Sequence, residues 1–223
     1  MNYFAHALPF LDAPYLAAGV CVPDWLMVVD RRLRLRHRSV APFVHDRSSE
    51  VAALARGVVQ HLRDDSRFHS TRAFAECQWA LTAASRDRLS GDDGFRPGFL
   101  GHLLTEVLLD AALAVECPGE LERFFAALDA VDPAEVERAV GLFAARPPLH
   151  LGAMIEGFRR QRIIFDYLDD GRMMFRLNQV MRRVGLPALP DDFAQLLPEA
   201  RRLIAARREE LLAGIPTSDE DGR

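Results

Sequence analysis

Lysine is missing from this chain: all 28 basic residues are arginine. The bias reads as coding preference more than as chemistry. Cysteine is scarce, and Cys21, Cys77 and Cys117 stand far apart without a CxxC pair. That spacing excludes a disulfide framework and a thiolate zinc site, and makes a reducing cytoplasm the expected compartment. Excess positive charge is lacking too. A net charge of -4 and a pI near 6.0 argue against bulk attraction to nucleic acid, so no stable nucleic-acid complex is expected. Alternating strand patterns, internal repeats, low-complexity tracts and domain linkers are all absent. The apolar stretch from Tyr3 to Val29 has no basic leader, and His6, Pro9, Asp12, Pro14, Pro23 and Asp24 interrupt it. It reads as buried protein, and no transmembrane segment is expected.

Apolar residues instead recur at helical spacing almost everywhere. With 223 residues, 49% hydrophobic and 27% charged, the chain is expected to be one all-α domain over residues 1–216, an irregular helical bundle, with a polar tail at 217–223. Pro14 is expected to open a helix through Gly19–Trp25. Pro23 should kink or break that helix and leave Asp24 at an irregular, accessible turn. Ser48 and Ser49 can cap a long helix from about Glu50 to His69, with Val51, Leu54, Val58 and Leu62 on its core stripe. Thr71 to Leu89 continues helical after a bend, and the loop Ser90-Gly91-Asp92-Asp93-Gly94 ends it. Pro97 starts the next helix, which closes near Cys117-Pro118-Gly119. Pro118, Pro133 and Pro147-Pro148 divide the second half of the chain into shorter helices. The stretches 151–168, 173–184 and 193–212 complete the bundle.

Seven side chains able to hold a metal carry the chemistry: His6, Asp24, His61, Asp65, His69, His102 and Glu106. His61/Asp65 and His102/Glu106 are each spaced four apart, so on a helix each pair projects from one face, and His69 lies one more turn beyond Asp65. Mixed imidazole and carboxylate donors suit a divalent ion, zinc first, with manganese and iron as alternatives, better than calcium or magnesium. The blander reading of His61, Asp65 and His69 is a solvated polar face beside Arg63, Asp64 and Arg67. Around His102, however, Phe99, Leu100, Leu103, Leu104, Val107, Leu108 and Leu109 make a helix apolar on nearly all sides. Burying His102, Glu106 and Asp110 there without partners is costly, and a shared metal would satisfy them. His37, His45 and His150 keep the ordinary expectation of hydrogen-bonded core histidines.

The opening MNYFAH, the stretch from Gly19 ending in Pro23-Asp24-Trp25, the segment GVVQHLRDD at 57–65 and YLDDGRMMFRLNQVMRR at 167–183 resemble the acyl carrier protein phosphodiesterase family. Where that family continues with Thr-Asp this chain has Phe68-His69, and the family's Asp-His pair in the later helix is Gly101-His102 here. The order His, Asp, HxxxD, His, HxxxE is also similar to the ligand order of the zinc-dependent phospholipase C and S1/P1 nuclease group, which is all-α. That group's N-terminal tryptophan ligand has no counterpart, since Met1 opens the chain. One further histidine between Asp24 and His61 is missing unless His37 or His45 supplies it.

Both resemblances imply hydrolysis of a phosphodiester by a metal-activated water, and paired ions are suited to that chemistry. The expected arrangement has Asp65 bridging, His61 and Asp24 on one ion, and His69, His102 and Glu106 on the other. His6 can complete the first of these sets, and Asp24 can instead orient the attacking water. The acyl carrier protein resemblance implies the phosphopantetheine link as substrate, and the arginine-rich run Arg31–Arg38 could receive such an acidic partner. The rivals are a phospholipase C-like or nuclease-like phosphoesterase and a non-catalytic helical protein with a structural metal site. An HD-type phosphohydrolase ranks below them, because no His-Asp doublet stands on a candidate helix.

Overall fold

A computed structural model describes residues 1–89 and 94–215. Residues 90–93 of the loop expected at 90–94, and the tail expected at 217–223, lie outside the described residues. The fold is all-α, an irregular helical bundle with no strand among the described residues. Eleven α-helices succeed one another there: α1 Tyr3–Ala7, α2 Pro14–Val29, α3 His37–Val40, α4 Ser49–Ser70, α5 Arg72–Arg88, α6 Pro97–Glu116, α7 Pro118–Asp129, α8 Pro133–Ala144, α9 Leu151–Gln161, α10 Asp170–Arg183 and α11 Leu197–Leu211. Short 3₁₀ segments join several of them, notably Ile163–Leu168 and Asp191–Leu196.

The starts of these helices are written locally. Ser48 caps α4, its hydroxyl accepting from Val51 N at 3.3 Å and donating to Glu50 at 2.9 Å. Thr71 caps α5 by accepting from Phe74 N at 3.1 Å, and proline occupies the first turn of α2, α7 and α8. Two expectations are corrected. Pro23 does not end its helix: α2 runs unbroken from Pro14 to Val29, and Asp24 sits inside it, half-buried. Pro23 takes a donor from one carbonyl only, that of Gly19. The packing of Ala17, Ala18, Val20, Cys21, Val22 and Trp25, all buried, outweighs the usual cost of about 3 kcal/mol. The stretch 151–168 is not one helix, because Arg162 adopts φ +46 and separates α9 from the 3₁₀ segment.

The chain forms two compact units that alternate along the sequence. One comprises Met1, 68–116 and 163–214, built on α5, α6, α10 and α11. Its α6 is long and apolar enough to cross a membrane by composition, and most of it is buried against its neighbours, as a core helix is. At Gly101 this helix approaches α5 so closely that a Cβ would lie 2.6 Å from the Gln78 carbonyl. The other unit comprises, among the described residues, 2–67, 117–162 and Ile215. Its core gathers Phe4, Trp25, Phe124, Phe125 and Phe158, with ring centroids 5.1 Å apart in the pair Phe124–Phe125 and 6.2 Å apart in Phe124–Phe158. Here α2 and α4 cross backbone to backbone. A Cβ on Gly57 would meet the Leu16 carbonyl at 2.4 Å, and one on Gly19 would meet the Leu54 carbonyl at 2.5 Å.

Candidate metal centre

Six of the seven predicted ligands come together in two groups of three. His6, His61 and Asp65 form one, and His69, His102 and Glu106 the other, the donor atoms within each lying within 4.8 Å of one another. Asp24 belongs to neither group, contrary to its expected place beside His61, because the unbroken helix carries its side chain from a position other than the turn foreseen.

The first group arises from the α2/α4 crossing. Glycine at 19 and 57 lets the two backbones touch, and one turn beyond Gly57 the His61 Nδ1–H donates to the Val20 carbonyl at 2.7 Å. That bond fixes the ring's orientation and its tautomer, leaving the lone pair on Nε2, the arrangement in which an imidazole ligates a metal. His6 comes from α1, every residue of which is buried, and its ring stacks on that of His61 with centroids 4.0 Å apart. The two rings are only 1% and 4% exposed, whereas Asp65 is half-buried. The solvated polar face considered for this part of α4 is therefore absent at His61. Its neighbour Asp64 is also buried, accepting from Gln60 at 2.8 Å, and burial pushes its carboxyl up despite that bond and the charges of Arg63 and Arg67.

The second group is more open. The side chains of His69, His102 and Glu106 are 29%, 40% and 18% exposed. The helix carrying His102 is thus not buried on every side, and the two candidate ligands occupy its accessible strip. Both histidines turn Nε2 toward Glu106 Oε1, at 3.1 and 3.3 Å, and the Met1 ammonium reaches the same oxygen at 3.2 Å. Burial alone would raise the Glu106 carboxyl. The Met1 ammonium and the bonds from His102 and His69 prevail and hold it well below the usual carboxylate range. Phe74 fixes both rings: its edge meets His69 and His102 at 4.6 and 5.3 Å, near perpendicular, while the imidazoles stack 4.9 Å apart. The Thr71 cap sets the start of α5 and so the place of Phe74. Gly101 sets the approach of α6, which carries His102 and Glu106.

Each group offers two imidazoles and one carboxylate, a donor set that fits zinc, manganese or iron and leaves coordination positions for water or substrate. Reasoning from sequence missed the Met1 ammonium, the Val20 carbonyl and Phe74. None of these residue types signals a site, and only the Thr71-x-x-Phe74 cap spacing hinted at where one of them would stand. His37, His45 and His150 are all exposed, which corrects their expected place in the core. No protein-family model, curated protein sequence or solved structure matches this chain.

Proposed function

We propose that each group holds one divalent ion, zinc first, and that the protein is a metal-dependent phosphodiesterase. The observation carrying this reading is the assembly of six predicted ligands into two sets of matching composition, each within 4.8 Å. An ion so held lowers the pKa of a bound water and polarises a phosphodiester. The residues contribute in distinct ways. Glu106 stays ionised as an anionic ligand, His61 presents Nε2 because Val20 holds Nδ1, and the exposure of His69 and His102 gives substrate access to the second group. Asp24, outside both groups, is retained as the candidate to orient the attacking water.

The phosphopantetheine link of an acyl carrier protein is the proposed substrate, on the family resemblance and on one surface feature. In the unit built on α1–α4 and α7–α9, a concavity of about 250 Å³ is lined by Arg32, Arg34, Arg36, Arg38 and Arg146. Asp30 neutralises only Arg146, through bonds of 2.8 and 3.1 Å. An acidic protein complements the remaining four. A phospholipase C-like or nuclease-like substrate is the alternative within the same chemistry.

A second reading has its own observation. The Met1 ammonium on Glu106 Oε1, at 3.2 Å, favours a structural ion pair in a non-catalytic helical protein. Elemental analysis of protein purified without chelator, with hydrolysis of a chromogenic phosphodiester, separates the two. The metal reading expects one ion per group, chelator-sensitive turnover, loss of one ion in His102→Ala and of the other in His61→Ala. Metal-free protein that stays inactive on adding zinc, manganese or iron establishes the ion-pair reading instead.

A further inference from the structure

We propose that a pocket formed by α2, α3, α4 and the turn after α3 binds an amphiphilic anion, an aliphatic chain ending in a carboxylate or phosphate. The cavity measures about 510 Å³, within the range of small-molecule sites. Its floor is apolar: Phe10, Leu16, Val44 and Val59 are half-buried beneath it. Its rim carries two guanidiniums and two imidazoles. His37, His45, Arg56 and Arg63 stand exposed around the opening, and no carboxylate lines it.

Both guanidiniums hydrogen-bond to neutral acceptors in this wall. Arg56 donates to the Val44 carbonyl at 3.2 Å, and Arg63 to Gln60 Oε1 at 3.4 Å. Of the acids next to these residues in sequence, Asp64 is buried and accepts from Gln60, and Asp46 accepts from Ser48 N at 2.9 Å; neither lines the pocket. Two guanidiniums and two imidazoles face one opening whose lining holds no carboxylate, so an anion there gains charge-assisted hydrogen bonds while its chain covers the apolar floor. The site is separate from the metal ligands on the same helix. Positions 56, 59, 60 and 63 point away from 61 and 65 by at least roughly 100° round α4.

The test is calorimetric titration of the full chain with octanoate and octyl phosphate, beside acetate and octanol, each of which keeps one half of the ligand. Saturable one-to-one binding of either amphiphilic anion is expected, and the tighter of the two identifies the head group. Acetate and octanol should each bind roughly tenfold or more weakly, the loss of one charge-assisted contact or of the chain. The double variant Arg56→Gln, Arg63→Gln should lose about the same factor. Its helical signal should be unchanged, because both side chains are exposed. Chelator treatment should leave octanoate binding as it was, so failure of the metal reading and failure of this one are distinguishable. Absence of binding by both anions, octanol binding as tightly as octanoate, or an unaffected double variant overturns the proposal.

Discussion

Substituting Gly57→Ala tests the packing on which the His6/His61/Asp65 group rests. The added methyl would lie 2.4 Å from the Leu16 carbonyl and 2.8 Å from Gly19, all backbone atoms that no side-chain rotation can move. Restoring ordinary contact requires α2 and α4 to part by roughly 1 Å, which stretches the 2.7 Å bond from His61 to Val20 beyond hydrogen-bonding range. Overpacking of this kind costs up to about 3 kcal/mol. The better helix propensity of alanine returns about 1 kcal/mol. The net loss of ~2 kcal/mol corresponds to a fall in Tm of about 4–8 °C for a chain of this size. Loss of the bond that orients the His61 ring should also weaken metal binding at that group about tenfold or more. Thermal unfolding monitored by circular dichroism, on metal-free protein, measures the first effect, and competitive chelator titration the second. Gly157→Ala is the control: it is also mid-helix, but nothing lies within 4 Å of its new Cβ, so propensity alone should raise its Tm. A Gly57→Ala variant as stable as wild type would refute the close crossing and, with it, the account of how His61 is positioned.

Further expectations concern charge and access. In metal-free protein Glu106→Gln should lower Tm at neutral pH. Because the folded-state value is depressed, that difference should be complete above the unfolded value of about 4.3 and narrow as the pH falls below it; Tm measured against pH for both proteins checks this. Asp64→Asn should behave oppositely, raising Tm at neutral pH by removing a buried carboxylate while keeping the Gln60 contact. That gain should vanish as acid protonates Asp64 in the wild type, whose carboxyl burial has raised. Chelator should strip the metal in two phases, since His69 and His102 are 29% and 40% exposed whereas His6 and His61 are buried. Turnover should fall with the faster phase, and loss with the slower one would assign the chemistry to the buried group. Asp24→Asn should keep both ions and lose turnover if Asp24 orients water, which metal analysis of the purified variant resolves.

Much of the fold was legible because its determinants are local. Ser48, Thr71, Pro97, Pro118 and Pro133 mark helix starts by mechanisms that act within one turn, and helices begin at or beside each of them. The spacing of His61/Asp65 and of His102/Glu106 likewise survives folding, because four residues make about one turn wherever the helix lies. Local rules could not supply the outcome of competition between levels. Pro23 argues for a break, yet the buried face of α2 carries the helix past it, and Asp24 moves from an expected turn into a helix. Conversely, the apolar composition around His102 overstated burial, since composition reports what a helix can cover and not which strip its neighbours leave open.

The same distinction explains which parts of the candidate site were visible. Candidate ligand side chains announce themselves by type, but the groups that orient them here are backbone or hydrocarbon: a carbonyl at Val20, an aromatic edge at Phe74, and missing side chains at Gly19, Gly57 and Gly101. Such groups carry no chemical signature in a sequence. Each acts by allowing or forcing an approach that exists only after the helices have packed. The glycines matter most in this respect. In helix interiors each costs about 1 kcal/mol relative to alanine, and the two at 19 and 57 meet at the crossing that brings the Val20 carbonyl to His61. Helices spaced by ordinary side chains would pack about as well while leaving His61 without that carbonyl, so the penalty at positions 19 and 57 accompanies the placement of His61 and not merely the bundle.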